Sequence, residues 1–191
     1  MESITNKFQK YKRQFLLKKD KSIKGAKDKG ILKVINLINS RENYYTTSSC
    51  SGRIVLYEKI NDKKNNFNFL FISHDKTDLD DIKDIFNKKY ENIWFRQEGF
   101  ILHVCCKTIK YAERLLNLII KIGLKRSGII SLKNKIMVEI IGTEVIDTII
   151  ADKKLLVDET YLKILINEAN KKMDRNKEKI DRLYEVLCRL N

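Results

Sequence analysis

The chain contains no proline and only seven glycines in 191 residues, so its turns must be built on Gly, Asn and Asp. Its four cysteines, at positions 50, 105, 106 and 188, form no C-x-x-C pair, and there are only two histidines, His74 and His103. The usual zinc spacings are therefore absent and no metal is expected. Nothing suggests secretion, so a disulfide framework is disfavoured. No apolar run approaches the roughly 18 residues that cross a bilayer, and the opening MESITNKFQK lacks the apolar core and cleavage site of a signal peptide. The expectation is a soluble, cytoplasmic protein without membrane contact. There is no G-x-G-x-x-G after a strand and no G-x-x-x-x-G-K, which leaves a Rossmann cofactor site and a P-loop unsupported.

What the chain has in excess is positive charge. Its formal charge is +14, and 30 of its 39 basic residues are lysine. Residues 1 to 30 hold ten Lys or Arg against Glu2, Asp20 and Asp28, a concentration that suits phosphate neutralisation. A lysine-coated surface kept soluble by repulsion accounts for the total equally well.

Periodicity divides the chain into helices and strands of a mixed α/β (α+β) protein, read as a single domain over 1–191. A basic amphipathic helix occupies about 1–19, with Ile4, Phe8, Tyr11 and Phe15 on one face. A second helix runs from about Asp28 to Asn39 with Asp28 as its cap, a third from Ile109 to Ile122 with Thr108 as cap, and a fourth over 159–190. A further helix is expected to bury Leu79, Ile82, Ile85 and Phe86. Strands are expected on either side of a Ser-rich corner at Thr46–Gly52, at Phe67–Ile72 (well buried), at Ile93–Gln97 and Phe100–Cys106, and as a pair within 124–141. The echo of Ser51-Gly52-Arg53-Ile54 in Ser127-Gly128-Ile129-Ile130 allows two weakly similar halves around one sheet core, between long N- and C-terminal helices.

Five serines and threonines lie within Tyr45-Thr46-Thr47-Ser48-Ser49-Cys50-Ser51-Gly52-Arg53. A buried strand gains nothing from them, because each hydroxyl would need a partner. They suit a site for a carboxylate, ribose or phosphate, with Arg53 as a bidentate fork; a solvated turn is the plainer alternative. His74, at the end of a strand, can take a proton or orient a base, or be a surface histidine. His103 either enters a cleft or is satisfied within its sheet. Cys105 and Cys106 read as small apolar groups. Cys50 with a histidine base would make a thiol nucleophile, and hence a hydrolase, but no Cys-His signature accompanies it. Arg126 and Ser127 either bind an anion or form a helix end closed by Gly128.

Taken in order, these motifs resemble one family. Asp20-Lys21-Ser22, Lys24-Gly25 and Asp28 are similar to a D-x-S-x-K-G-x-x-D pattern, and Thr46 to Arg53 resembles a TTSSCSGR signature. The likeness continues through Ser73-His74, Phe95-Arg96, Phe100 to Val104, Arg126 to Ile129 and Glu168-Ala169-Asn170. The chain resembles the tRNA wybutosine-synthesizing protein three family over about residues 10 to 187. It departs from the pattern at Ile141-Gly142-Thr143, where an R-S-T triplet is expected, and at Gly99, where a proline is.

The resemblance implies a non-Rossmann α/β methyltransferase. Its methyl donor would be S-adenosylmethionine and its acceptor N4 of an aminocarboxypropyl-bearing demethylwyosine base beside the anticodon of tRNA-Phe, with no metal and no protein partner. Asp28 and His74 are then the candidate catalytic residues. Ser48, Ser49, Ser51, Gly52, Arg53 and His103 are candidates for the cofactor, and Ser22, Lys24, Arg126 and Ser127 for the substrate. The basic first helix would hold anticodon-stem phosphates while Tyr44, Tyr45 or Trp94 stacks on the extruded base. A non-catalytic basic RNA-binding protein is the rival reading, one that cofactor-dependent thermal stabilisation would exclude.

Overall fold

The computed structural model describes residues 4–17, 28–60 and 67–190. It resolves into two compact units, one of residues 1–51, 100–143 and 177–191, the other of residues 52–99 and 144–176. The mixed α/β class follows from the sequence as expected, with the strands distributed over two antiparallel sheets.

The first unit opens with α1, Ile4–Leu17. A 3-10 turn at Lys29–Ile31 leads into α2, Leu32–Ser40, and Asp28 caps that turn by accepting the Gly30 N–H. Its sheet has the order β1-β5-β7-β6, built from β1 Tyr44–Cys50, β5 Ile101–Cys106, β6 Gly128–Ser131 and β7 Ile136–Ile141. One face carries Leu102, Val104, Val138 and Ile140, which pack with α2 and with α3, Ile109–Lys121. Ile180, Leu183 and Leu187 of the C-terminal helix α4, Glu159–Cys188, join the same core. Phe8 covers part of the opposite face with Tyr45 and Cys105, and Tyr11, Phe15 and Met137 pack around them. Thr108 stands at the N-cap of α3 without a side-chain hydrogen bond, the helix entry being set by extended backbone instead.

The second unit contains β2 Arg53–Lys59, β3 Phe67–Ser73, β4 Asn92–Glu98, β8 Ile146–Asp152 and β9 Lys154–Leu155, in the order β3-β2-β4-β8-β9. Ile54, Leu56, Ile93, Phe95 and Ile150 pack there against Leu162, Leu165, Ile166 and Ala169 of α4. The helix expected around 79–86 is a set of turns with a 3-10 segment at Lys83–Ile85; Ile82 and Ile85 are nevertheless buried as anticipated. The pair β8 and β9 had no counterpart in the sequence reading.

The strand at Phe67 is not well buried. It lies at a sheet edge, and Phe69 is 42% exposed. The cause is a β-bulge: β2 and β3 pair Leu56 with Phe71 but Tyr57 with Phe69. One extra residue reverses the inside and outside faces of a strand. Phe71 therefore packs against the core, while Phe69 and Phe67 share the face of Tyr57. The Ser-Gly echo leads into strands of unlike position, since β2 is flanked by β3 and β4 whereas β6 closes an edge.

Tyr44 and Tyr45 are 2% and 0% exposed, so they belong to the core and are not available to stack on a base. Burial holds both phenols above their ordinary range, Tyr44 to about 12. An unfolded tyrosine ionises near pH 10, so the folded state keeps its full advantage below that pH and loses it as pH rises towards 12. The urea midpoint is expected to fall between pH 9 and pH 12, and Tyr44→Phe to make that fall shallower.

Candidate active site

The hydroxyl-rich segment forms most of β1 rather than a corner; the chain turns only at Ser51-Gly52. A bulge again sets its geometry. Pairing with β5 runs Tyr45 to Cys105 and Thr46 to Val104, then skips Thr47 and places Ser48 opposite His103. Glu139 of β7 faces His103 from the other side. The result is a polar row across the sheet in which Ser48 Oγ lies 2.6 Å from His103 Nδ1 and His103 Nε2 lies 3.0 Å from Glu139 Oε1. An ionised carboxylate can only accept, so Nε2 carries the proton of a neutral ring and Nδ1 accepts from the Ser48 hydroxyl. Ser48 is then held with its oxygen able to accept from a ligand hydroxyl. The sequence reading selected Ser48 and His103 but missed Glu139. Alternation along IMVEII puts a carboxylate on a strand face, but only sheet register shows what it opposes.

Asp28 anchors the turn after β1. Its carboxylate accepts the N–H of Ser51 at 2.6 Å and that of Gly30 at 3.1 Å. A Cβ on Gly30 would stand 2.9 Å from the Ser51 Cβ, so the approach depends on glycine there. Ser51 is 8% exposed, whereas Ser49 lies at the surface. Ser127 Oγ accepts the Ile141 N–H at 3.2 Å, tying the start of β6 to the end of β7, and Arg126 is exposed. Thr143, in the segment that departs from the R-S-T pattern, accepts from the Lys179 ammonium. The candidates Ser22 and Lys24, with the rest of 18–27, lie outside the described residues.

The remaining candidates belong to the second unit. Gly52 has φ +99°, the region glycine favours. Its carbonyl lies 2.9 Å from His74 Nδ1. Since a carbonyl only accepts, Nδ1 carries the proton and Nε2 is the acceptor nitrogen of the neutral ring. Arg53 pairs through Nε with Glu98 Oε2 at 2.6 Å, and Arg96 pairs with Asp147 at 2.6 Å. The Asp147 contact holds the Arg96 guanidinium charged beyond its already high range. Trp94 stacks on Tyr57 with centroids 6.3 Å apart.

Cys105 and Cys106 are buried, and desolvation pushes both thiols up, away from the reactive thiolate. Two basic surfaces stand out in the first unit. Lys7, Lys10 and Arg13 are exposed on α1, and Lys110, Arg114, Lys121 and Arg189 border a hollow of about 640 Å³. Among the described residues no helix is long and apolar enough to cross a membrane.

Comparison with known proteins gives a consistent result. Residues 3–189 match the family described as methyltransferase TYW3. The chain is 37% identical over 186 residues to the tRNA wybutosine-synthesizing protein 3 homolog of Danio rerio, covering 94% of this chain and 74% of that one. It is 36% identical over 193 residues to the tRNA(Phe) 7-((3-amino-3-carboxypropyl)-4-demethylwyosine(37)-N(4))-methyltransferase 1 of Pyrococcus furiosus, covering 98% of both. Among solved structures, the PH1069 protein of Pyrococcus horikoshii matches with a TM-score of 0.87 at 36% identity, over 96% of this chain and 97% of that one. A hypothetical protein from Aeropyrum pernix matches at 0.76 and 25% identity, over 85% and 98%.

Proposed function

We propose, from the premise that this chain belongs to the methyltransferase TYW3 family, that it methylates N4 of 7-(3-amino-3-carboxypropyl)-4-demethylwyosine in tRNA-Phe with S-adenosylmethionine as donor. What carries this reading is the extent of the likeness: 98% of both chains align with the Pyrococcus furiosus methyltransferase, so every candidate residue lies within the shared span.

The side chains fit the donor's chemistry. Ribose hydroxyls need acceptors, which the Ser48–His103–Glu139 row of the first unit supplies. When bound, S-adenosylmethionine provides a methyl group on a sulfonium, which passes to nitrogen without a metal. The protein's own tasks are to place the acceptor nitrogen in line and to remove its proton, and positioning can account for much of the rate. His74, oriented by the Gly52 carbonyl, receives that proton on Nε2. Asp28 fixes the Ser51 backbone, and Ser49 and Ser51 complete the hydroxyl set. Arg126, Ser22 and Lys24 serve the tRNA side, and Ser127 holds the strand end beside Arg126.

Glu139 acts through His103. Glu139→Ala frees the ring to take either tautomer and is expected to weaken donor binding by roughly tenfold, the effect of one lost hydrogen bond to a charged group, while leaving kcat at saturating donor nearly unchanged. Isothermal titration with S-adenosylhomocysteine together with steady-state kinetics would measure both, and a loss confined to kcat would contradict the role.

The anticodon arm is held by the basic surfaces of α1 and α3. Affinity for tRNA-Phe is expected to fall steeply with salt, and Lys10→Glu with Arg13→Glu to weaken binding and to lower the salt slope by roughly one per lost phosphate contact. Arg114→Glu should add a further loss. Filter binding from 50 to 300 mM salt measures this, and a salt-independent affinity would refute it.

The decisive experiment is incubation of the purified protein with labelled S-adenosylmethionine and tRNA-Phe carrying the unmethylated tricyclic base, followed by nucleoside mass analysis. A gain of one methyl on that base supports the reading. Binding of the tRNA without methyl gain would favour a binding module instead.

A further inference from the structure

The face of the second sheet that the β2–β3 bulge opens holds a hollow of about 320 Å³, lined by Arg53, Tyr57, Phe67, Phe69, Arg96 and Glu98 together with Val55. Two guanidinium groups are fixed at its wall by aromatic rings. The Arg53 Cζ lies 5.6 Å from the Phe69 centroid and the Arg96 Cζ 4.8 Å from that of Tyr57. Their hydrogen-bonding capacity is only partly used. Arg53 engages Glu98 through Nε, and Arg96 engages Asp147 and the Tyr57 hydroxyl through Nη2. The two Nη groups of Arg53 make no hydrogen bond among the described residues, and Arg96 Nη1 stands 3.9 Å from Glu98, beyond hydrogen-bonding distance.

The side chains of Arg53, Arg96 and Glu98 are 27%, 29% and 30% exposed. Pairs this accessible contribute little to stability, so packing alone does not account for placing them in a hollow. Their balance of charge is informative. A phosphate site would present an excess of cations, whereas here Glu98 and Asp147 offset the two arginines. The ligand that adds complementary charge without leaving an excess is a zwitterion: a carboxylate for the unused guanidinium N–H groups, and an ammonium for Glu98, beside an apolar or aromatic body for Tyr57, Phe67 and Phe69.

We infer that this hollow is an α-amino-carboxylate site, with Arg53 and Arg96 binding the carboxylate and Glu98 the ammonium. The inference rests on the proposed function, under which two ligands carry that group. One is the methionyl end of S-adenosylmethionine. The other is the aminocarboxypropyl side chain of the acceptor base.

The test compares ligands that differ only in this group, using the full chain and its Arg53→Gln and Glu98→Gln variants. In the donor arm, calorimetry measures S-adenosylhomocysteine against 5′-methylthioadenosine, which lacks the amino carboxylate. In the acceptor arm, tRNA-Phe bearing the side-chain-carrying tricyclic base is measured against tRNA-Phe bearing the same base without the side chain. The unsubstituted protein should prefer the amino carboxylate by roughly tenfold to a hundredfold in one arm, the effect of one or two charge-assisted hydrogen bonds. Each variant should reduce that preference to within about threefold. Collapse in the donor arm assigns the hollow to the methionyl group, and collapse in the acceptor arm assigns it to the side chain of the base.

Arg53→Lys provides a further check should a glutamine variant fail to fold, because it keeps the charge facing Glu98 but loses the planar fork. It too should lose most of the preference. Folded variants that keep both preferences overturn the inference while methyl transfer by the unsubstituted chain leaves the proposed function standing. A chain with neither methyl transfer nor preference removes both.

Discussion

Methyl transfer by the Asp28→Asn, His74→Gln double variant is expected to fall below detection, while affinity for S-adenosylhomocysteine stays within a few fold of that of the unsubstituted protein. The two residues contribute unequally. His74 has Nδ1 engaged by the Gly52 carbonyl at 2.9 Å, which fixes the tautomer with Nε2 as acceptor. A positioned base of this kind contributes about 10²- to 10⁴-fold in rate, and His74→Gln alone should lower kcat by that amount with little change in KM. Asp28 uses its carboxylate oxygens to accept from Gly30 and Ser51. Asn at that position keeps one acceptor, so Asp28→Asn should loosen the turn after β1 and cost about tenfold, through misplacement rather than through loss of a proton acceptor. Single-turnover kinetics beside calorimetric binding separates the two. A double variant that still turns over at the unsubstituted rate would sink the assignment.

Gly52→Ala is expected to be strongly destabilising. At φ +99° an L side chain is strained, a cost of about 1–3 kcal/mol. The added Cβ would also meet the Glu98 carbonyl oxygen at 2.7 Å and Asn176 Nδ2 at 2.8 Å, and such overpacking costs a further ~1–3 kcal/mol. Asn176 is 2% exposed and the Glu98 carbonyl belongs to a paired strand, so neither can yield easily. Together these amount to a large share of the roughly 5–15 kcal/mol that holds a protein folded. A urea titration should show a markedly lower midpoint with an unchanged slope. Gly123→Ala is a useful contrast: its φ of +88° is similar, but nothing lies within 4 Å of an added Cβ, so it should show the strain cost without the collision. Equal losses at both positions would mean that crowding at Gly52 has been overestimated.

Local chemistry was sufficient for much of the fold. The 3.6-residue spacing of Phe8, Tyr11 and Phe15, of Ala112, Leu115 and Ile119, and of Leu162, Leu165 and Ala169 places α1, α3 and α4 to within a few residues, because a helix buries one stripe wherever it packs. Asp28 was legible as a cap because an acidic side chain before a helical turn has free N–H groups to accept. The pair β8 and β9 escaped because EVIDTIIADKKLL mixes acidic residues with an adjacent Ile pair and so shows no clean alternation. There, too, a register shift between Ile93 and Trp94 of β4 leaves the paired residues out of step.

The candidate residues were legible by type and the sites were not, for a physical reason. Composition shows that Ser48, His103 and Arg53 bear useful chemistry, but a strand's side-chain period is two, so a single inserted residue moves everything beyond it to the other face. The skipped Thr47 places Ser48 opposite His103, and the register shift beside Leu56 turns Phe67 and Phe69 towards Arg53 and Tyr57. No local propensity marks either residue as the one to be skipped. Most of the helices, the basic face of α1 and the family likeness were legible in the chain, the helices from spacing within one segment and the likeness from the order of motifs over nearly its whole length. That Glu139 orients His103, that Tyr44 and Tyr45 are core, and that Glu98 and Arg96 join Arg53 in one hollow depends instead on the pairing of strands distant in the chain, which no single segment encodes.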